Sequence, residues 1–447
     1  MADQSSAPAS NGHAPAGVDT SASGLRPAQA GPSFVPEGAA DLASNFDHQL
    51  SLSSLSVHAD DYINNHRAVA PPLHVSTTFR YNSDPDKLSA WNNTDPNAPF
   101  DSHVYSRDSA PNTTRFEAIL TSLLKGPAIT YSSGLAAFHA MLVFLNPKRV
   151  AIGGGYHGCH GVIKVLSKLN GLEQLELEDP EDLKKLQPGD VMHVETPLNP
   201  TGEARDLAFY AKLARELGCY LTVDATFAPP PLQDPFAYGV DIAMHSGTKY
   251  FGGHSDMLSG VLAVHPRRAR DDGWLDGLRE ERLFLGSVMG SLEGWLGVRS
   301  LRTLELRVER QSASAASLVG WLAAELEDRE SLVGRTVDRL QHASLQPAAK
   351  EEGSWLRRQM PKGYGPVFSI LMKDAEDARR LPSKLHLFHH ATSLGGVESL
   401  IEWRAMTDKS VAKTLLRVSI GVEGWEDLKA DLLHGFQALA AEKGKTA

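Results

Sequence analysis

The sequence predicts an α/β fold in which a large, doubly wound and mainly parallel sheet domain is followed by a smaller C-terminal α/β domain. Between residues 127 and 265, short apolar runs alternate with glycine-containing loops and helical segments. A second alternation of apolar and helical segments follows residue 304. Because strands and helices that alternate at this spacing form parallel sheets, ligands are expected at the carboxyl ends of the strands.

The composition is that of an ordinary globular protein and excludes several classes. The chain has 447 residues, with 44 Lys and Arg against 54 Asp and Glu and a formal net charge of -10. It has no basic run, so we expect no nucleic-acid partner. Its two cysteines, Cys159 and Cys219, are too few for a disulfide framework and favour a reducing, cytoplasmic compartment. No apolar stretch reaches the roughly 18 residues that a membrane span needs.

Four regions are predicted along the chain. Residues 1–47 are rich in Ala, Ser, Pro and Gly and fit neither a signal peptide nor an arginine-rich transit peptide, so we predict a disordered tail. Residues 48–108 contain a proline-broken stretch at Pro71 and Pro72 and predict an arm that contacts a neighbouring subunit. Residues 109–303 form the predicted large domain and residues 304–447 the predicted small domain.

The elements follow from apolar periodicity and turn residues. A polar loop is predicted at 87–102, helices at 113–124, 135–145 and 207–217, and strands at 128–131, 149–152, 191–194 and 220–223. Gly218 suits the C-terminal cap of the third helix. In the small domain, the apolar runs 365–372 and 415–420 flank a helical segment at 375–385.

Lys249 is the candidate nucleophile. It follows an apolar run and is the only charged residue between Asp241 and Asp256, among hydroxyls, glycines and aromatics. A lysine on a solvated loop is the simpler alternative. However, a desolvated ammonium loses its proton more easily, and a neutral amine can form a Schiff base with a carbonyl.

Other strand ends carry groups that complement Lys249. Asp224 directly follows a buried strand and needs a cationic partner, which a protonated pyridine nitrogen would supply. Ser133 and Gly134 open a helix that can bind a phosphate, although a simple N-cap fits equally well. Tyr156 offers a flat face on which a ring can stack, or it is a core tyrosine. Together these groups match the needs of pyridoxal phosphate.

Two other cofactor classes are disfavoured. The run Gly153-Gly154-Gly155 is similar to a dinucleotide loop, but it lies late in the sheet and lacks the acidic residue at a following strand end. The histidines at 157, 160, 386, 389 and 390 have no carboxylate or thiol at metal-ligand spacing, so no metal is predicted.

The motif Ser246-Gly247-Thr248-Lys249-Tyr250, with Gly253-His254-Ser255-Asp256, resembles the lysine loop of the Cys/Met metabolism pyridoxal-phosphate-dependent enzymes, the trans-sulfuration family. The resemblance covers about residues 71–427 and implies the aspartate aminotransferase-like fold, fold type I. It implies that Lys249 binds pyridoxal 5'-phosphate covalently, that Asp224 holds the pyridine nitrogen and that Tyr156 stacks on the ring. The cofactor-binding residues implied with them are Ser133, Gly134, Leu135, Asn199, Ser246 and Thr248.

The same resemblance extends to both ends of the ordered chain. Tyr105 and Arg107, in Tyr-Ser-Arg, look like the pair that family members lend to the phosphate of the neighbouring subunit, which implies a homodimer that shares its active sites and, by expectation, a tetramer. The segments 393–400 and 416–423 resemble the C-terminal signature. There Arg417 would bind the substrate α-carboxylate, with Asn199 and Ser393 assisting.

The resemblance implies a reaction at the β- or γ-carbon of an amino acid, in which Lys249, Tyr156 and Asp224 are catalytic. We favour γ-replacement on an activated homoserine, in the manner of a cystathionine gamma-synthase, over a cystathionine beta- or gamma-lyase. The reason is that Val104 stands where many members that act on cystathionine have an acid. Cys159 or His160 is a candidate for the pocket wall. A catalytically inactive regulatory homologue is the distant alternative, which the presence of Lys249 disfavours.

Overall fold

The computed structural model describes residues 46–63, 68–88 and 103–446. Apart from its last two residues, the predicted tail 1–47 lies outside the described residues. The same is true of most of the predicted loop 87–102 and of residues 64–67 in the predicted arm. The predicted boundaries of the four regions stay predictions.

The larger sheet has seven strands in the order β1-β7-β6-β5-β4-β2-β3. Its strands are β1 Ala128–Tyr131, β2 Arg149–Ile152, β3 Glu173–Glu176, β4 Val191–Glu195, β5 Tyr220–Asp224, β6 Ile242–Ser246 and β7 Gly260–Val264. Strand β7 is antiparallel to both of its neighbours, and the other neighbouring pairs are parallel. The predicted doubly wound, mainly parallel sheet of an α/β fold is therefore confirmed.

Two described α-helices precede β1, and the others lie between the strands or follow β7. They are α1 Leu52–His58, α2 Pro111–Leu124, α3 Gly134–Leu145, α4 His157–Asn170, α5 Pro180–Leu183, α6 Leu207–Leu217, α7 Pro266–Asp272, α8 Trp274–Leu285 and α9 Ser291–Leu301. The two ends of α6 show how capping residues set the limits of a helix. Asp206 caps its first turn by accepting from the Ala208 amide at 2.9 Å, and Gly218 ends it in the left-handed region at φ 69°.

The smaller sheet has five strands in the order β10-β11-β12-β9-β8. They are β8 Val337–Gln341, β9 Val367–Met372, β10 His389–His390, β11 Leu400–Trp403 and β12 Leu415–Ser419, and the helices around them are α10 Leu304–Glu327, α11 Leu332–Thr336, α12 Pro347–Lys350, α13 Trp355–Gln359, α14 Ala375–Arg380 and α15 Trp425–Thr446. One core joins the sheet to α10 and α15, with Phe368, Leu318 and Phe436 fully buried. The burial of this apolar surface stabilises the packing of the two helices on the smaller sheet.

The predicted helix at 375–385 is shorter in the structure. The α-helix ends at Arg380, and a 3₁₀ turn, Leu381–Lys384, continues the chain. Pro382 accounts for the change because proline has no N–H to donate to the preceding turn. In the part of the chain that the structure describes, no helix is both long and apolar enough to cross a membrane.

Candidate active site

A cavity of about 430 Å³ lies where the carboxyl ends of β4, β5 and β6 meet the start of α3. The residues predicted from the sequence that line it are Ser133, Gly134, Leu135, Tyr156, Asn199, Asp224, Ser246, Thr248, Lys249, Ser393 and Arg417. Residues not predicted to take part also line it, among them His157, Glu195, Thr392, Arg404 and Thr407. The fold thus brings together strand ends that are far apart in sequence.

Lys249 lies just after β6, and its amine reaches the segment between β10 and β11 of the smaller sheet. Nζ donates to Ser393 Oγ at 2.7 Å. Burial, and then the positive charge of Arg417, lower the pKa of Lys249 to about 8. A substantial fraction of the amine is therefore neutral near physiological pH, which is the form that acts as nucleophile or base.

Two carboxyl groups meet beside Lys249, at the ends of the parallel strands β4 and β5. Glu195 and Asp224 stand at paired register positions and are both buried. Glu195 accepts from the backbone amides of Tyr156 and Asn199, and Asp224 accepts from the Thr226 amide at 2.9 Å. Burial raises the pKa of both groups, and the charge of Asp224 adds to the rise at Glu195. The pair therefore forms a buried position suited to a cation.

The start of α3 forms a second part of the wall. Ser133 Oγ caps the helix by accepting from the Ala136 amide at 3.1 Å. A Cβ on Gly134 would lie 3.1 Å from the Ser246 Cβ, so a larger residue would crowd this wall. The amides of Gly134 and Leu135 lie in the first turn, where the helix itself offers no acceptor, and the hydroxyls of Ser246 and Thr248 also line the cavity. This arrangement is suited to an anion such as phosphate.

Tyr156 presents its ring to the cavity directly before α4. Its amide donates to Glu195 Oε2 at 2.8 Å, and its side chain keeps 37% of its exposure. Burial raises the pKa of Tyr156, and Arg404 and Arg417 are the cations that oppose this rise. The phenol is therefore a neutral hydrogen-bonding group next to two arginines.

Arg417 lies on β12, is 5% exposed and has three partners. Nη1 donates to Asn199 Oδ1 at 3.1 Å, and Nη2 donates to the Ser393 carbonyl oxygen at 2.9 Å and to Glu402 Oε2 at 2.6 Å. Burial lowers the pKa of Arg417 to about 10, and Glu402 opposes the shift. The guanidinium remains charged at neutral pH, and its three partners fix it in one orientation. A planar cation fixed in this way is suited to a planar anion such as a carboxylate.

Glu402 and Arg404 were not predicted as site residues. Arg404 Nη1 donates to Glu402 Oε2 at 3.1 Å and to Thr407 Oγ1 at 3.0 Å, and Thr407 Oγ1 donates to Glu402 Oε1 at 2.8 Å. Both charged residues are 3% exposed. The available signal was a glutamate and an arginine within the apolar run 400–405, because buried charges require partners.

Two predicted positions differ from the rest. Tyr105 and Arg107 do not line this cavity. Both are exposed, Tyr105 pairs with Thr78 in an isolated bridge, and Arg107 Nη1 donates to the Leu283 carbonyl oxygen at 3.1 Å.

The prediction that Cys159 or His160 forms part of the pocket wall is wrong. Cys159 is 1% exposed and lies in the apolar core, and His160 does not line the cavity. The side chain of His157 lines it instead. The physical reason is the start of α4 at His157, which sets the helical phase so that position 159 faces the sheet.

The cavity fits pyridoxal 5'-phosphate in three independent respects. The Glu195–Asp224 pair offers a place for a protonated ring nitrogen, the start of α3 with Ser246 and Thr248 offers donors to a phosphate, and Lys249 offers an amine of lowered pKa. The carboxyl pair stands at the ends of β4 and β5, and Ser246, Thr248 and Lys249 stand at the end of β6. Among the described residues, no group of three or more His, Cys, Asp and Glu side chains is arranged to hold a metal ion.

Comparison with known proteins agrees with this fit. The family model described as Cys/Met metabolism PLP-dependent enzyme matches residues 53–437. The chain is 34% identical over 399 residues to a cystathionine gamma-synthase of Escherichia coli (strain K12), a match that covers 84% of this chain and 94% of that protein. It is 32% identical over 354 residues to a cystathionine beta-lyase of Lactococcus lactis subsp. cremoris, covering 75% of this chain and 88% of that protein.

Solved structures resemble the chain along almost their whole length. The crystal structure of cystathionine gamma-lyase from yeast matches with a TM-score of 0.75 and 28% identity, covering 88% of this chain and 99% of that one. The relatives thus include a synthase and two kinds of lyase at similar identity.

Proposed function

The chain belongs to the Cys/Met metabolism PLP-dependent enzyme family, and from this premise we propose that it catalyses γ-replacement on an O-acyl-homoserine. It is therefore an enzyme that depends on pyridoxal 5'-phosphate and is related to the γ-synthases and lyases of that family. The choice of γ-replacement among the reactions of its relatives is the proposal.

The distribution of charged residues on the cavity wall supports γ-replacement over the cleavage of cystathionine. Among the described residues that line it, the acids are Glu195 and Asp224, which stand together at the strand ends, and the cations are Lys249, Arg404 and Arg417, of which the two arginines are paired with Glu402 behind the wall. Cystathionine has a second ammonium group, which needs an acidic partner at the far end of the site. Val104, the position where many cystathionine-binding relatives have an acid, supplies none. An activated homoserine has an ester at its far end and does not need such a partner.

The cofactor-binding residues follow from the fit. Asp224 would hold the ring nitrogen, with Glu195 positioning it through their paired strand ends. Ser133, Gly134, Leu135, Ser246 and Thr248 would bind the phosphate, and Tyr156 would stack on the ring. Lys249 would be the covalent anchor, and Asn199 would bind both the cofactor and Arg417. When bound, pyridoxal 5'-phosphate supplies an electron sink that stabilises negative charge at the substrate Cα.

The chain's own groups handle the protons. Arg417 binds the α-carboxylate with Ser393 and Asn199 beside it, which orients the Cα–H bond. Once the amine of the substrate has taken its place on the cofactor, the neutral Lys249 amine takes the Cα proton as general base and passes it through the Tyr156 phenol towards the leaving group. The amine is then free to take a Cβ proton, and the bond between Cγ and the ester oxygen breaks and releases the acid. A nucleophile, cysteine or another, forms the new bond to Cγ. Lys249 returns the Cβ proton, and the proton that the nucleophile gives up restores the Cα–H bond.

We further propose that a second copy of the chain completes each site. Tyr105 and Arg107 lie outside their own cavity on the exposed surface, as residues lent to a neighbour would. In a two-fold dimer, each cavity would receive the pair from the other subunit. A tetramer built from two such dimers is the expected assembly.

The experiment supplies O-acetyl-L-homoserine, O-succinyl-L-homoserine, L-cystathionine and L-cysteine separately, each with and without a thiol. The expected result is replacement product from an ester plus thiol, with 2-oxobutyrate when the thiol is left out. Pyruvate from cystathionine alone, with no replacement product from either ester, would instead identify a beta-lyase and reject the proposal.

A further inference from the structure

Arg404 is a second guanidinium in the cavity, and its protein partners leave part of its bonding capacity unused. It follows β11, lines the cavity and is 3% exposed. Nη1 donates to Glu402 and Thr407. Nη2 stands 3.6 Å from Asp408 Oδ2, beyond hydrogen-bond distance, and Nε has no hydrogen-bond partner within the described part of the chain. A buried donor without an acceptor is costly, so this arginine has a structural reason to bind a ligand.

The unused donors match one ligand shape. Nε and Nη2 form one edge of the planar guanidinium, and a carboxylate can accept from both atoms of that edge at once. A single carbonyl or hydroxyl oxygen would satisfy one donor and leave the other without an acceptor, whereas the ion pairs to Glu402 and Asp408 do not fill this edge. The chemistry therefore favours a carboxylate at Arg404.

The position of Arg404 relative to Arg417 defines which carboxylate this is. Glu402 Oε2 accepts from Arg417 Nη2 at 2.6 Å and from Arg404 Nη1 at 3.1 Å, so two guanidinium groups converge on one oxygen. Arg404 also lies near Tyr156, where its positive charge acts to lower the pKa of the phenol. A ligand whose α-carboxylate is on Arg417 would reach Arg404 with a short chain of carbons.

We propose that Arg404 binds a second carboxylate of the amino-acid ligand, so that the site prefers ligands with two acidic groups. The proposal rests on the proposed function, because that function places an amino acid in this cavity with its α-carboxylate on Arg417. The second acid can belong to the acyl leaving group, as in a succinyl ester, or to the incoming nucleophile. Arg404 thereby determines specificity, whereas Lys249 and Arg417 serve every substrate.

Binding of unreactive ligands to the holoenzyme tests the proposal without turnover. Two matched pairs differ only in a distal carboxylate: L-2-aminoadipate with L-norleucine, and L-2-aminopimelate with L-2-aminoheptanoate. Calorimetry should show that the native enzyme binds at least one dicarboxylic member about tenfold more tightly than its partner. Arg404→Gln should abolish this preference and leave the affinity for the monocarboxylic ligand within about threefold. Arg404→Lys should keep part of the preference, because lysine keeps the positive charge but lacks the planar guanidinium that binds both oxygens of a carboxylate.

Arg339→Gln is the matched control. Arg339 lies on β8, with a side chain that is 62% exposed, and it does not line the cavity. This variant should bind all four ligands like the native enzyme. Equal affinity of the native enzyme within both pairs would overturn the proposal. So would an Arg404→Gln variant that loses affinity for both members equally, since Arg404 would then only position Glu402 and Arg417.

Two kinetic comparisons identify the source of the second carboxylate. If the leaving group supplies it, Arg404→Gln lowers kcat/KM for O-succinyl-L-homoserine about tenfold more than for O-acetyl-L-homoserine. If the nucleophile supplies it, the larger loss is for cysteine compared with cysteamine. Equal losses in both comparisons would contradict the proposal. Because the binding measurement needs no reaction, a chain that binds dicarboxylic ligands but performs no γ-replacement would refute only the proposed function.

Discussion

Lys249 Nζ donates to Ser393 Oγ at 2.7 Å, and this bond joins the loop after β6 of the larger sheet to the segment that precedes β11 of the smaller one. The backbones also meet there. A Cβ on Gly395, which has φ 82°, would lie 3.0 Å from the Lys249 carbonyl carbon. The proposed catalytic amine is therefore positioned by both sheets.

The pH dependence of stability follows from the Lys249 pKa. Burial lowers the pKa of Lys249 from the ordinary lysine value to about 8. Below pH 8 the charged amine therefore destabilises the folded state. This destabilisation disappears as the pH rises from about 8 towards the pKa that the lysine has in the unfolded chain. We expect Lys249→Met to raise the Tm of the cofactor-free protein by a few degrees at pH 7, and the gain to shrink towards pH 10. Calorimetric scans at both values measure this. A gain that grows with pH would contradict the lowered pKa.

Asp224 and Glu195 are expected to differ in effect although they are neighbours. Asp224→Asn removes the charge that would hold the ring nitrogen, and we expect kcat to fall by about 100-fold. Glu195→Gln removes the repelling charge and keeps one of the two accepting oxygens, so one of the bonds from the Tyr156 and Asn199 amides is lost, and we expect a fall of less than about tenfold. Steady-state kinetics and a spectral titration with pyridoxal 5'-phosphate measure both effects. Equal losses would mean that the two carboxyls act as one unit.

Arg417→Lys keeps the positive charge and removes the planar fork. Lysine cannot reproduce the three hydrogen bonds to Asn199, Ser393 and Glu402, so we expect KM for the amino-acid substrate to rise by about 10- to 100-fold and kcat to change less. The expected loss is in binding because Arg417 would hold the same carboxylate throughout the reaction. An unchanged KM with a large fall in kcat would argue against this role.

Mixing two inactive chains tests the shared site. Lys249→Ala and Arg107→Ala should each lose most activity alone, the first because the amine is absent and the second because the neighbour's phosphate loses its guanidinium. When the chains are refolded together, each hybrid dimer regains one intact site. Activity should then return to about a quarter of that of the native enzyme. Arg339→Gln mixed with Lys249→Ala serves as the control for dilution, and failure of the first mixture alone to recover would place Arg107 outside the site.

Much of the site was predictable because its residues stand at strand ends. Asp224 and Lys249 each follow an apolar run, so local pattern alone placed them at one edge of a sheet, and Ser133 marked the start of a helix. The pairing of Glu402 with Arg404 and Arg417 was not predictable in this way. It depends on the register of β11 against β12, which joins residues 15 positions apart, and no local period specifies such a register.

The position of His157 was missed for a related reason. The sequence did not define where α4 begins, and a shift of one or two residues rotates a different side chain towards the cavity. The motif therefore placed the segment near the site but not the side chain that faces it. The same limit applies to Tyr105 and Arg107, whose predicted partner is a second chain.

Glu402 is a counter-ion for Arg417 that the protein itself supplies. Its carboxylate already occupies Arg417 at 2.6 Å, so a small anion from the surrounding solution meets a cation that is neutralised rather than a bare one. In the proposed role of Arg417, an α-carboxylate would displace Glu402 only with help from the rest of the substrate, because attraction to charge alone offers no advantage over the intramolecular partner. Arg417 would then bind whole amino acids in preference to small inorganic anions.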